Sequence, residues 1–299
     1  MKIGFVGLGK MGFNMAQHLL ESGHDMVLFD LSADAVASLA DKGGVPASSL
    51  QELAGMLQSP RLIWLMVPAG DPVDMTLDTL MPLLQPGDII IDGGNSHYTD
   101  SEQRAARLND KGIRFLDAGT SGGLEGARRG ACIMVGGDKS VYDLVEPLLK
   151  DMCVENGYGY MGRSGAGHFA KMVHNGVEYG MMQAIGEGFD LLASSGFDFN
   201  LEEVSRVWAN GSVIRGWLME LVVRAFQKDP GLNYLSGRIA DSGEGRWTVD
   251  AALEHEVSIP VIAASLFSRF RSRSEENLSD RVVAALRYEF GGHPFSAKP

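Results

Sequence analysis

The first apolar run, Lys2 to Val6, turns at once into Gly7-Leu8-Gly9-Lys10-Met11-Gly12, and an amphipathic stretch follows in which Met11, Met15, Leu19 and Leu20 are apolar. This order predicts strand, glycine turn and helix. The next strand, Met26 to Phe29, ends at Asp30. Leu62 to Val67 predicts a strand ending at Pro68, Asp71 to Leu84 a helix, and Asp88 to Asp92 a strand. A helix from Tyr98 to Lys111 and strands at Ile113–Asp117 and Cys132–Val135 continue the alternation. Such alternation predicts an α/β doubly wound sheet of the Rossmann type.

Strand signals stop near Ser164. The segment Gly165–Ser195 is long and apolar, and helices are expected at Leu201–Trp208, Ser212–Phe226, Thr248–Glu256, Pro260–Arg269 and Leu278–Tyr288, the last ended by Gly291-Gly292. The expectation is a dinucleotide-binding domain over 1–163 and an all-α domain over 164–299. Gly176, Gly180 and Gly186 inside a helix predict close approach of a cofactor or another helix.

Within the apolar segment, Lys171, His174, Asn175 and Glu178 fall at i, i+3, i+4 and i+7, one face of the helix. An amine, an imidazole, an amide and a carboxylate on a buried stripe need polar partners. A bound polar substrate is one such partner, and the stripe is the candidate catalytic wall. A solvent-exposed or salt-bridged helix face is the competing interpretation.

Composition narrows the function. At 299 residues, two domains are the default. The 45% apolar and 21% charged residues are those of a soluble globular chain. A net charge of −12 argues against a nucleic-acid or anionic-membrane surface. Cys132 and Cys153 show no metal-site spacing and read as two buried free thiols. No stretch approaches the ~20 apolar residues of a membrane span, and a cytoplasmic location is expected.

In the glycine turn, Gly7 serves the tight turn, Gly9 the approach of a pyrophosphate, and Gly12 the packing of helix on strand, with Lys10 and Met11 at the helix start. Ligands lie beyond the strand C-termini in such sheets, which brings Met66, Val67, Pro68 and Asn95 into the cofactor set. A carboxylate at Asp30 suits a ribose 2′-hydroxyl and repels a 2′-phosphate, and Leu31 and Ser32 supply no arginine. The expected cofactor is NAD in preference to NADP. Two glycine loops, Asp92-Gly-Gly-Asn95-Ser96 and Ser121-Gly122-Gly123-Leu-Glu-Gly-Ala127, are placed to offer backbone N–H groups to an anion.

Four segments carry a family resemblance: Asp92-Gly-Gly-Asn-Ser-His-Tyr, Ser121-Gly-Gly-Leu-Glu-Gly-Ala, His168-Phe-Ala-Lys-Met-Val-His-Asn-Gly-Val-Glu-Tyr179, and Arg287-Tyr-Glu-Phe-Gly-Gly-His293. The chain resembles a decarboxylating 6-phosphogluconate dehydrogenase of the short, single-helical-domain type, within the wider β-hydroxyacid dehydrogenase group. The resemblance implies oxidation and decarboxylation of 6-phospho-D-gluconate to ribulose 5-phosphate and CO2. It implies Lys171 as the base on the C3 hydroxyl and Glu178 as the acid that protonates the enediol. Asn95, Ser121, Gly122, Gly123, His174, Asn175 and Tyr179 are implied substrate contacts, and Arg215 a phosphate contact. Arg287 and His293 match a pair donated by a neighbouring subunit, which implies a homo-oligomer.

One stretch departs from that pattern. Longer members carry Lys-Gly-Thr-Gly-Lys-Trp-Thr, whose first Lys and Thr hold the phosphate. Here the stretch reads Asp241-Ser-Gly-Glu-Gly-Arg-Trp-Thr248, with Ser242 and Glu244 in those places. Arg238 or Arg246 is left as the substitute cation. Another β-hydroxyacid dehydrogenase, such as a reductase of a small semialdehyde, is the main alternative; it needs Lys171 but not Glu178, Arg215 or Arg287. A scaffold or cofactor-sensing protein that kept the fold is the non-enzymatic alternative.

Overall fold

The computed structural model describes residues 1–274 and 277–291. The chain divides into two compact units, Met1–Asn175 and Gly176–Pro299.

The first unit is built on one eight-stranded sheet in the order β3-β2-β1-β4-β5-β6-β7-β8. Its elements begin β1 (Lys2–Val6), α1 (Lys10–Glu21), β2 (Asp25–Phe29), α2 (Ala33–Ala40), β3 (Val45–Pro46) and α3 (Leu50–Gly55). They continue β4 (Leu62–Leu65), α4 (Asp71–Leu80), β5 (Ile89–Asp92), α5 (Tyr98–Asn109) and β6 (Arg114–Ser121). Then come α6 (Gly123–Arg129), β7 (Ala131–Gly137), α7 (Lys139–Met152) and β8 (Cys153–Gly162). β1 to β6 run parallel, as crossover helices require, while β7 is antiparallel to β6.

The central strands are apolar on both faces because helices cover both. Ile3, Phe5, Trp64 and Ile91 join one buried cluster, and Val6, Ile63, Leu65 and Ile90 the other. Each such side chain contributes ~1.5–3 kcal/mol on burial. β6 outruns its parallel neighbour. Its last pairing with β5 is Asp92 with Asp117, yet the strand continues through Ala118–Ser121, paired there only with Val135–Cys132 of β7.

Helix α8 (Ala166–Ser194) starts on this sheet. A Cβ at Gly167 would lie 2.5 Å from the Asp117 and Met134 carbonyl oxygens, and one at Gly136 would lie 2.7 Å from the Gly167 nitrogen. Backbone-to-backbone contact of that closeness requires glycine at both positions. The buried Asp117 carboxylate accepts the Gly165 and His168 N–H groups at 2.7 and 2.9 Å, fixing the helix start.

The second unit contains the rest of α8, then α9 (Leu201–Ala209), α10 (Trp217–Lys228), α11 (Glu244–Glu254), α12 (Pro260–Ser272) and α13 (Leu278–Gly291). Gly176 admits a helix: an added Cβ would sit 2.7 Å from the Thr248 methyl of α11. Gly186 has nothing among the described residues within 4 Å of such a Cβ, so no described helix of this chain makes the close approach there.

The cysteines correct the sequence-based expectation. Cys132 is exposed and Cys153 half-buried. On β7 the residues alternate in exposure from Ala131 to Ile133, which turns Cys132 outward. Burial pushes the Cys153 thiol up to about 12. No helix among the described residues is long and apolar enough to cross a membrane.

Candidate active site

A cavity of about 830 Å³ lies at the C-terminal ends of the first unit's strands. Gly7, Gly9, Lys10, Met11, Gly12, Asp30, Met66, Val67, Pro68 and Asn95 all line it. The three glycines are distinct in geometry. Gly7 has φ +95°, and a Cβ there would meet the Met66 carbonyl oxygen at 2.5 Å. A Cβ on Gly12 would lie 2.0 Å from the Gly7 carbonyl oxygen. Gly9 has an ordinary φ of −62° and open space beside it, so the volume a side chain would fill belongs to the cavity. Gly9 is also the N-cap of α1, and the first turn of that helix holds no acidic residue. The first N–H groups of the helix and the positive end of its dipole therefore suit an anion there. The residues fit a dinucleotide pyrophosphate.

Asp30 is held by two backbone donors. Its Oδ2 accepts the Leu8 N–H at 2.5 Å and its Oδ1 the Ser32 N–H at 2.7 Å. The carboxylate is thus tied to the glycine loop on one side and to the start of α2 on the other.

Lys171 is 5% exposed and Asn175 8%. The Lys171 Nζ donates to Asn175 Oδ1. His174 Nδ1 lies 3.1 Å from the same oxygen, and its Nε2 lies 3.4 Å from Ser121 Oγ at the end of β6. An oxygen at Asn175 has no proton to give, so Nδ1 donates, and in the neutral ring Nε2 accepts from Ser121. The Lys171 stem packs on the strand: a Cβ at Gly119 would come within 2.3 Å of the Lys171 Cβ. Gly122 and Gly123, with φ +115° and +56°, turn the chain from Ser121 into α6, so the expected loop is in part a helix start.

The helical unit carries a second polar group. Glu178 is half-buried on α8. Tyr179 is 6% exposed, and its hydroxyl lies 3.3 Å from the Ser242 N–H and 3.4 Å from Ser242 Oγ. Ser242 Oγ donates to the buried Glu244 carboxylate. The Arg269 guanidinium stacks 3.4 Å from the Tyr179 ring centroid. Arg246 and Arg273 converge instead on Asp241, holding its carboxyl below the usual range, with the Arg246 hydrogen bond the larger cause. Arg215 is exposed in the turn before α10, and Arg287 is exposed on α13. His293 lies outside the described residues.

Two residues escaped the sequence reading. Arg269 is far along the chain from Tyr179, and no spacing signals their stacking. His168 was within reach: it precedes Lys171 by three residues, on the same helix face.

With this geometry in hand, comparison with known proteins is informative. Residues 2–162 match the family model for the NAD binding domain of 6-phosphogluconate dehydrogenase, and residues 167–294 match the model for its C-terminal domain. An NAD(+)-dependent, decarboxylating 6-phosphogluconate dehydrogenase of Haloferax volcanii is 47% identical over 300 residues, covering 100% of this chain and 99% of its own. A Bacillus subtilis protein provisionally named a 6-phosphogluconate dehydrogenase is 52% identical over 298 residues, with both chains fully covered. Among solved structures, Plasmodium falciparum 6-phosphogluconate dehydrogenase superposes with a TM-score of 0.84 at 28% identity, covering 100% of this chain and 67% of that one. The cofactor domain, the helical domain and near-complete coverage of the short relatives agree: the chain is an oxidoreductase of the 6-phosphogluconate dehydrogenase family.

Proposed function

We propose that this protein oxidises and decarboxylates 6-phospho-D-gluconate to ribulose 5-phosphate and CO2 with NAD as the preferred acceptor. The observation that carries the reading is the Lys171–Asn175–His174–Ser121 cluster, with Lys171 and Asn175 buried, in the same compact unit as the dinucleotide cavity.

When bound, the nicotinamide supplies the acceptor for hydride from C3. Lys171 Nζ removes the C3 hydroxyl proton, and the resulting ammonium hydrogen-bonds the new C3 carbonyl as C1 leaves as CO2. Asn175 orients the amine, and His174 with Ser121 offers hydrogen bonds to the sugar-acid hydroxyls. Glu178 delivers a proton to C1 of the five-carbon enediol. Tyr179 and Arg269 supply donors suited to a phosphate, and Arg269 answers the need for a cation that Ser242 and Glu244 leave open.

The preference for NAD is supported by Asp30, which lines the cavity and repels a 2′-phosphate. Self-association through the helical unit is supported by its exposed apolar side chains, including Val257, Val261, Phe267, Val283 and Leu286, and by the small size of its buried cluster of Phe189, Met219 and Phe226. A homo-oligomer, with Arg287 and His293 serving a neighbouring site, follows as part of the proposal, and so does action in the pentose phosphate pathway of the cytoplasm.

The test is turnover of 6-phosphogluconate with NAD or NADP, following reduced cofactor and CO2 together. Equal yields of both, faster with NAD, are expected. Inactivity here with activity on 3-hydroxyisobutyrate or glycerate overturns the proposal.

A further inference from the structure

We propose that His168 is a positioning residue that locks the cofactor-side loop Gly93–Asn95 to the helix bearing Lys171. The inference deepens the functional reading above and rests on it for its kinetic arm.

His168 is 1% exposed, and both ring nitrogens are engaged. Nε2 lies 3.1 Å from the Gly94 carbonyl oxygen, and Nδ1 lies 2.7 Å from Ser101 Oγ. A carbonyl has no proton to give, so Nε2 donates; in the neutral ring Nδ1 then accepts from the Ser101 hydroxyl. The backbone N–H of the same residue is bound by Asp117. One residue thereby joins the middle of β6, the start of α5 and the loop after β5.

That loop matters because Gly93, Gly94 and Asn95 line the dinucleotide cavity. Its other restraints act on neighbouring atoms. Asp92 accepts the Gly94 N–H at 3.1 Å and the Ser96 hydroxyl at 2.6 Å, and Thr120 Oγ1 donates to the Gly93 carbonyl at 3.1 Å. Of these groups, only the imidazole belongs to α8. His168 and Lys171 are three residues apart, neighbours on one helix face. A shift of the helix start therefore moves the Gly94 carbonyl with it, and the distance between the base and the cofactor-side loop is set through the imidazole.

Hydride transfer is sensitive to such a distance, since a displacement near 1 Å costs about a hundredfold in rate. In the full-length protein, His168→Ala is expected to lower kcat by roughly tenfold to a hundredfold. The primary isotope effect with 6-phosphogluconate deuterated at C3 should rise, while KM for the sugar acid changes little. His168→Gln, whose amide can donate to Gly94, should restore part of kcat. Hydrogen exchange without substrate should quicken at amides 93–97 of His168→Ala and stay unchanged in β1 to β4. Unchanged kcat and isotope effect per folded molecule, or unchanged exchange in the loop, overturns the proposal. If the wild type fails on 6-phosphogluconate, the functional reading falls; loop exchange and NADH affinity, read without the sugar acid, then decide the role of His168.

Discussion

The Lys171 Nζ donates to Asn175 Oδ1 one helical turn further on, with both side chains buried. A flexible four-carbon stem is thereby held at both ends, by the Gly119 backbone at its base and by the amide at its tip. Lys171→Met keeps the stem and removes the proton acceptor. We expect reduced-cofactor formation to fall by about 10³-fold or more, within the span typical of a positioned base. Stopped-flow absorbance of the reduced nicotinamide is the measurement, and turnover within tenfold of wild type would exclude Lys171 from the base role.

Glu178→Gln keeps the shape and removes the acid. A fall in kcat of roughly a hundredfold is expected, with NADH affinity unchanged by fluorescence titration. Unaltered turnover would show that the enediol takes its proton from another donor.

Asp30→Ala removes the acceptor of the Leu8 and Ser32 N–H groups together with the charge. KM for NAD should rise about tenfold, the equivalent of ~1.4 kcal/mol, while KM for NADP stays level or improves. If the ratio of the two kcat/KM values does not move, cofactor choice resides elsewhere.

Gly9 and Gly12 should separate binding from folding. Gly9→Ala meets no atom of the described residues within 4 Å. Its melting temperature without cofactor should stay within about 2 °C of wild type, in line with a benign substitution, while NADH binding weakens markedly. Gly12→Ala drives a methyl to 2.0 Å from the Gly7 carbonyl oxygen and should lower thermal stability even without ligand. Equal behaviour of the two variants in calorimetry would contradict this division.

Asp88 gives a pH-dependent test away from the cavity. It is fully buried at the foot of β5, and burial alone would raise its pKa. The Arg61 and Gln85 N–H groups, the Arg61 guanidinium and the Ser59 hydroxyl outweigh that and hold it below the usual value. A lowered folded-state pKa means stability that is present above about pH 4 and lost as pH falls through the folded value. Asp88→Ala leaves Arg61 without this partner and should cost about 3 kcal/mol at neutral pH. The gap in melting temperature between variant and wild type should narrow in acid; a gap constant down to pH 2 would refute the linkage.

The sheet was legible where strands are uniformly apolar and closed by glycine or proline, as at Lys2–Val6 and Leu62–Leu65. It was illegible in β8, where Asn156 with φ +60°, three glycines and half-exposed side chains erase any alternation. The amphipathic α7 passed unread although Val141, Val145, Leu148 and Met152 mark its buried face; Pro147 lies inside it. The start of α10 shifted from Ser212 to Trp217. The polar stripe on α8 was readable because i, i+3, i+4 and i+7 are properties of one helix. The Tyr179–Arg269 stack joins two helices ninety residues apart, a matter of packing that local spacing does not encode. His168 was passed over because a histidine between glycine and phenylalanine reads as core until its two hydrogen bonds are seen.

The overhang of β6 beyond Asp117 has a thermodynamic consequence. Thr120 and Ser121, which grip the Gly93 carbonyl and His174, sit on paired strand rather than on a free loop. Ordering a loose residue on binding would cost ~1–2 kcal/mol of backbone entropy. Here that ordering is completed when the chain folds, so a small, hydrated ligand binding beside these residues as proposed would not have to stiffen them.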